Sequence, residues 1–455
     1  MSKGKLTGRT WFNLILFSLM GQIAWNVENM FFNTFLFDYI YKGATQNAIN
    51  NTIEFSSAVN IMVSLSAITA VLTTFVMGTL SDKINKRKIF ISAGYIAWGI
   101  TTAAFGVISR DNVAMIFGLK DEIKILTVTI WAVIIMDCIM TFMGSTSNDS
   151  CFNAWVTDVT DTSNRQKVES IFAVLPIAAM GIVLGAGGLI AAKFGYPKFF
   201  IFLGALVSLC GVMGLFTMQD SRSGVKQNTN YWSDLLYGFR PSVIKEHKGL
   251  YLAFAAVCFF SIAVQVFFPY LIVYLQHVIL PTANGNLINP TTIACAVFAV
   301  VVILAGIILL LKNADKMGRE NAIIVSSIFM VVGLFLLGFA HTLNTVLLVV
   351  GPVVVGYAVI GILINASIRD LTPEDKAGLF QGIRMIFYVL LPMVIGPLIG
   401  NIAIQKSDVT YVNEYNVVTT VPTALMFTCA AVVCMLVFIP VVMIKKQGLR
   451  KAEDN

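Results

Sequence analysis

Charge is scarce in this chain: Asp, Glu, Lys and Arg make up 12% of its 455 residues, against 57% hydrophobic residues. An ordinary soluble protein carries about twice that charged share. So few charges cannot cover a water-facing surface of this length, which excludes a string of soluble domains. Histidine is scarcer still, with His247, His277 and His341 in separate loops or helix ends, so no histidine-based metal set is formed. The seven cysteines lack metal-ligand spacing, and six of them (Cys138, Cys210, Cys258, Cys295, Cys429, Cys434) lie in apolar runs as small packing residues. Those runs also lack paired catalytic acids, Ser/His or Cys/His sets and a phosphate-binding loop, which argues against an enzyme and against a bound cofactor. Lys3, Lys5 and Arg9 precede the first run without a small-residue cleavage site, so this run reads as a retained helix.

What the chain has in abundance is long apolar runs. They fall at roughly 11–41, 55–79, 89–109, 123–147, 169–192, 198–218, 250–277, 291–312, 322–341, 346–367, 383–404 and 422–444. Most reach the roughly 20 residues needed to cross a bilayer as a helix. Inside lipid, only helices or closed barrels satisfy the backbone, and uninterrupted runs select helices. The expected fold class is therefore all-α, with twelve membrane spans. Of the 31 Lys and Arg residues, 24 fall in the termini and the segments on their side of the membrane, and 7 in the other set. This bias places both termini in the cytoplasm and makes the net charge of +7 a topology signal rather than a nucleic-acid surface.

The spans are also duplicated. NAWVTDVTDTSNRQKVESI, from Asn153, returns 212 residues later as NASIRDLTPEDKAGLFQGI, from Asn365. Asn153/Asn365, Ala154/Ala366, Asp158/Asp370, Thr160/Thr372 and Ile171/Ile383 coincide. DKINK at Asp82 has an echo DKMGR at Asp315, and VENMFF at Val27 aligns with AVQVFF at Ala263, setting Asn29 opposite Gln265. Three matches in the same order indicate two homologous six-helix halves, 1–218 and 250–455, joined by a cytoplasmic linker 219–249 in which Trp232 to Phe239 suits a short interfacial helix. A duplicated bundle with a polar hairpin at one fixed place in each half is the body plan of a carrier.

GTLSDKINKRK, Gly78 to Lys88, resembles the loop 2–3 signature of the major facilitator superfamily, and the segment at Asp315 resembles its second copy. The hairpin after span 4, the aromatic FFNTFLFDYIY of span 1 and GIRMIFYVLLPMVIGPLIG of span 11 resemble the glycoside–pentoside–hexuronide:cation symporters and related sucrose-type carriers. The resemblance implies two six-helix bundles around a cavity lined by spans 1, 4, 7 and 10, open alternately to either side. One departure stands out. The acid pair that holds the coupling cation in span 2 of melibiose-type carriers is absent from SLSAITAVLTTFVMG, and their sugar-binding span 1 aspartate falls at Gln22.

Polar residues inside spans are the functional candidates, because each is expensive in lipid. Gln22, Asn26, Asn29 and Asn33 fall within about 60° of one another on a helix, with Trp25 on their flank. Amides and an aromatic face suit a neutral polyhydroxyl ligand, and Gln265 takes the equivalent place in the second half. Helix-to-helix hydrogen bonding is the plainer explanation of such a stripe. Glu28, about 120° from the stripe centre, and Asp137 in span 4 are candidate carriers of a coupling cation, H⁺ or Na⁺, or structural partners of a basic or hydroxyl group. Arg384, with Tyr388 on its stripe, could neutralise an anionic group or snorkel to the interface. In the resembled family, the aspartates corresponding to Asp82 and Asp315 latch the inner side through a helix end and a basic residue such as Arg87 or Arg319. Asp158, Arg165 and Asp370 are placed to act likewise. The glycines of span 5 and Pro392, Gly396, Pro397 and Gly400 of span 11 allow close packing and bends.

The expectation is a monomeric secondary carrier in the cytoplasmic membrane, moving a small molecule, a sugar or glycoside, by alternating access as a proton or sodium symporter. A lysolipid or drug is the alternative cargo, and nucleic acid is not an expected partner.

Overall fold

A computed structural model describes residues 6–84, 86–160, 164–220, 239–283, 289–372, 380, 383–407, 409–412 and 418–453. Eleven helices among these residues are long and apolar enough to cross a membrane. The twelfth expected span, the first helix, has the length but not the hydropathy. Five amide side chains and Glu28 replace apolar residues along it.

The chain divides into two compact units, Met1–Thr229 and Asn230–Asn455. In the first unit the long helices are α1 (Gly8–Phe35), α2 (Phe55–Ile84), α3 (Arg87–Ala104), α4 (Glu122–Gly144), α5 (Arg165–Ile182) and α6 (Tyr196–Thr217). In the second they are α7 (Lys248–Phe267), α8 (Pro290–Met317), α9 (Arg319–Leu337), α10 (Leu343–Leu371), α11 (Leu391–Gln405) and α12 (Leu425–Met435). One small departure from all-α is an antiparallel hairpin pairing β1 (Thr410–Val412) with β2 (Val418–Thr420).

Local chemistry sets the helix ends. Thr7, Ser109, Asn289 and Thr342 accept backbone N–H groups at helix starts, as N-cap oxygens do. Pro269 breaks α7 into a tight turn at Phe268–Tyr270, because proline has no N–H for the carbonyl four residues earlier, that of Gln265. Helix 4 runs further than its hydropathy suggests. Wide turns at Ser145–Phe152 carry it on to a last helical stretch, Asn153–Val159. The polar segment expected to leave the span at residue 147 is therefore helical. The expected short helix at Trp232 lies outside the described residues up to position 238, and Phe239 is in a turn.

Packing inside each unit relies on small residues. A Cβ on Gly99 of α3 would strike the Gly204 carbonyl and the Ser208 backbone of α6, while Ser208 Oγ donates to the Ile96 carbonyl at 3.1 Å. Gly396 and Gly400 of α11 meet the α7 backbone at Gln265 and Val266 in the same way. Such close backbone approach substitutes for the hydrophobic drive that lipid does not supply. Aliphatic rows remain exposed, such as Leu72 and Val76 on α2 and Val297, Val301, Leu304 and Ile308 on α8, as suits a hydrocarbon solvent.

Gly99→Leu should therefore lower the unfolding midpoint in detergent, at an overpacking cost of roughly 1–3 kcal/mol. Gly181→Ala, where a Cβ meets nothing within 4 Å, should leave it unchanged or raise it slightly. Fluorescence-monitored melting of both variants checks the contrast.

Candidate functional site

The first unit gathers its intramembrane acids rather than dispersing them. Glu28 leaves α1 towards α2 and α4. Its Oε1 accepts from Ser66 Oγ at 2.8 Å and from Thr141 Oγ1 at 3.0 Å, and the two hydroxyls lie 2.8 Å apart. Asp137, one turn before Thr141 on α4, lies within Coulombic reach of Glu28. Glu28 is 7% exposed and Asp137 2%. Glu28 Oε2 and Asp137 Oδ1 have no hydrogen-bond partner, and among the described residues neither acid has an ion pair.

A third carboxylate, Asp149, sits in the wide turns that extend α4. It accepts from Ser145 Oγ at 2.9 Å, and the Trp25 indole lies beside it without reaching hydrogen-bond geometry. The amide stripe runs along the same stretch of α1. Asn26, Asn29 and Asn33 each donate one N–H to the carbonyl four residues earlier, those of Gln22, Trp25 and Asn29, at 2.8, 2.7 and 2.9 Å. Gln22, Asn26 and Asn29 are half-buried, and Asn33 is buried with its Oδ1 unpartnered. One face of Trp25 is occupied by Trp98, whose ring centroid is 4.8 Å away. Asn148 donates to the Tyr95 hydroxyl at 2.6 Å, which itself donates to the Phe17 carbonyl at 2.7 Å.

In the second unit, Gln265 sits just before the Pro269 break, with its Oε1 buried and unpartnered. Arg384 Nη2 donates to Asn365 Oδ1 at 2.9 Å, and its guanidinium lies 5.4 Å from the Tyr388 ring centroid. A cation over an aromatic face is favoured by the ring quadrupole.

The loop residues pair within each unit. Arg87 Nε meets Asp158 Oδ2 at 2.5 Å and its Nη1 donates to Ser81 Oγ at 3.2 Å. Arg319 Nη1 meets Asp370 Oδ2 at 2.6 Å. Each pair joins an arginine to the aspartate of the duplicated hairpin: Arg87 directly after DKINK, and Arg319 at the end of DKMGR. The first side chains are 12 and 13% exposed, the second 40 and 59%. The side chains of Asp82, Arg165 and Asp315 lie outside the described residues.

Sequence reasoning did not select Ser66, Thr141 as a ligand of Glu28, or Asp149. Asp149 was discoverable as an acid on the helical register of Ser145, four residues on.

Eleven apolar spans, an amide-lined first helix and the same Arg–Asp pair in both halves define a membrane transporter of duplicated build. The chain belongs to the Major Facilitator Superfamily, whose family model matches residues 29–397 and, in a second match, 288–454. No curated protein matches it by sequence. The nucleoside transporter NupG shares its fold with a TM-score of 0.63 at 13% identity, over 96% of this chain and 98% of that one. The xylose transporter XylE from E. coli, in a partially occluded inward-open conformation, gives 0.61 at 14% identity over 94% and 96%. At these identities the likeness is one of fold.

The two Arg–Asp pairs should differ in weight. Removing one partner of a part-buried pair leaves a poorly compensated charge, so Arg87→Ala should cost about 1–3 kcal/mol. The exposed counterpart, Arg319→Ala, should cost roughly 0–1 kcal/mol. Paired thermal melts at low and high salt check this, with only the second expected to respond to salt.

Proposed function

We propose that this transporter is a secondary carrier of a sugar or glycoside across the cytoplasmic membrane, working by alternating access and coupled to a proton or sodium ion. The observation that carries the reading is the joint placement, on one polar helix, of an amide row and a buried acid. Asn26 and Asn29 each use one N–H on their own helix and keep a carbonyl oxygen and a second N–H for hydroxyl groups. Glu28, between them in sequence, turns to a separate cluster on α2 and α4. Cargo and cation thus have distinct places on α1, close enough to be sensed by the same helix.

The cargo class is supported by chemistry and by neighbours. Half-buried amides beside an indole suit hydroxyl-rich rings better than an alkyl chain. The fold neighbours are named for a nucleoside and for xylose, both polyhydroxylated. The resemblance to the glycoside–pentoside–hexuronide carriers points the same way, and the Lys/Arg distribution supports cytoplasmic termini. Gln265 and Arg384 with Tyr388 are the second unit's proposed cargo contacts. The Arg87–Asp158 and Arg319–Asp370 pairs are proposed as gating contacts, together with Asp82, Arg165 and Asp315.

A ligand-stabilisation screen of the purified chain against sugars, lysolipids and cationic drugs, with and without Na⁺ and at two pH values, tests the reading. Protection by a sugar is expected, and protection by a lysolipid but by no sugar would reverse it. Asn26→Ala and Gln265→Ala should each weaken the sugar's protection several-fold in apparent affinity, the loss of a hydrogen bond of about 0.5–1.5 kcal/mol. Unchanged protection in both variants would remove the amide row from the cargo site.

A further inference from the structure

The turn joining α3 to α4 carries an apolar tip. A short helix, Arg110–Phe117, ends at Gly118, whose left-handed backbone (φ 61°) lets the Leu119 N–H return to the Ala114 carbonyl at 2.9 Å. Three consecutive large apolar side chains stand outside there: Met115 is 75% exposed, Ile116 71% and Phe117 62%. Residues 112–119 carry no charge, whereas Arg110, Asp111, Lys120 and Asp121 flank them. In water such a run would be an aggregation hazard. The tip is nonetheless built and held. Asn112 Nδ2 donates to the Val107 carbonyl at 2.7 Å, and Val113 is buried. Arg110 Nη2 donates to the Lys42 carbonyl at 2.9 Å, and Glu122 accepts from the Thr45 N–H at 2.8 Å and from its hydroxyl at 2.7 Å.

Lipid is the occupant that the surroundings indicate. Both flanking spans present exposed apolar rows, Ile89 and Ile100 on α3 with Val107 beyond it, and Trp131, Ile135 and Ile139 on α4. The tip continues that hydrocarbon-facing surface. The span on one side ends at Val107 and the span on the other begins at Glu122, so the tip lies where hydrocarbon gives way to headgroups. Its helix of 8 residues is far too short to cross a bilayer. A short helix with apolar side chains on the lipid side lies in the interface instead. Exposed Lys120 and Lys124 can keep their charges at the headgroups while their stems cover apolar surface. A protein partner is the poorer fit, because three side chains fall well short of the roughly 800 Å² per partner that a stable interface buries. In the second unit the corresponding turn, between α9 and α10, exposes Phe339 at 77%.

We propose that residues 110–119 form an interfacial anchor, with Met115, Ile116 and Phe117 inserted among the acyl chains of the leaflet at that end of the spans and Lys120 and Lys124 at its headgroups. Through Arg110 and Glu122 the anchor also grips the connection that follows α1, at Lys42 and Thr45. That end of the polar helix is thereby tied to the leaflet as well as to its helical neighbours. The anchor does not depend on the identity of the cargo.

Nitroxide labels placed singly at Met115→Cys, Phe117→Cys and Lys120→Cys, in the full chain in vesicles of phosphatidylcholine and phosphatidylglycerol, test the anchor by power-saturation electron paramagnetic resonance. The unaltered chain, treated in the same way, supplies the background from its own cysteines. Labels at 115 and 117 should be reached by oxygen, which dissolves in hydrocarbon, and shielded from a water-soluble nickel chelate. The label at 120 should show the reverse, with a several-fold difference in the ratio of the two accessibilities. Adding Ile116→Ser and Phe117→Ser to the Met115→Cys chain should move its label towards water. Nickel access at 117 equal to that at 120 would overturn the proposal, as would a label at 117 closed to both reagents, the sign of a protein partner or a second copy. A label at 115 whose depth ignores the two serines would overturn it as well.

Discussion

Hydrocarbon offers a polar side chain no partner, so each amide, hydroxyl and carboxylate carried into a span must find one within the protein. The rest of this structure follows from how that demand is met. Along α1, three asparagines return an N–H to their own backbone, which keeps a polar helix helical in a nonpolar setting. The polar turns of helix 4 use the same device, with Thr146 and Ser147 donating to the Phe142 and Met143 carbonyls. Groups that cannot be satisfied locally converge instead, and the convergence of Glu28, Ser66, Asp137 and Thr141 ties α1, α2 and α4 together.

The two halves share a scaffold and differ in what it carries. Each joins the start of its third helix to the end of its fourth through one Arg–Asp pair, Arg87–Asp158 and Arg319–Asp370. The first half alone, among described residues, holds a cluster of buried carboxylates. The second places Gln265 before a proline break and sets Arg384 between Asn365 and Tyr388. Duplication thus fixed the helical frame and the loop pairs, while the polar contents of the spans diverged.

Hydropathy and Lys/Arg placement made the spans legible, and the internal repeat marked both hairpins and the aspartates, Asp158 and Asp370, that form the Arg–Asp pairs. The partners of Glu28 were not legible, since nothing in a local pattern says which face of α2 or α4 will meet α1. Ser66 and Thr141 are ordinary hydroxyls in apolar text until packing aligns them. Asp149 was hidden for a different reason. STSNDSCF reads as a loop because it is polar, yet its hydroxyls bond back along the helix and allow the chain to continue to Val159. The first helix inverted the same problem: hydropathy understates it because five amides and Glu28 lie along it.

The claim on which the account turns is that α1, α2 and α4 meet at one polar point. Cross-linking in the membrane tests it most directly, using Ser66→Cys with Thr141→Cys and, as a reference, Asn13→Cys with Thr217→Cys, whose native side chains are 2.7 Å apart. The account predicts that both pairs form an intrachain link under mild oxidation, read as a joined peptide by mass spectrometry. A reference pair that links while Ser66→Cys/Thr141→Cys stays open would contradict it.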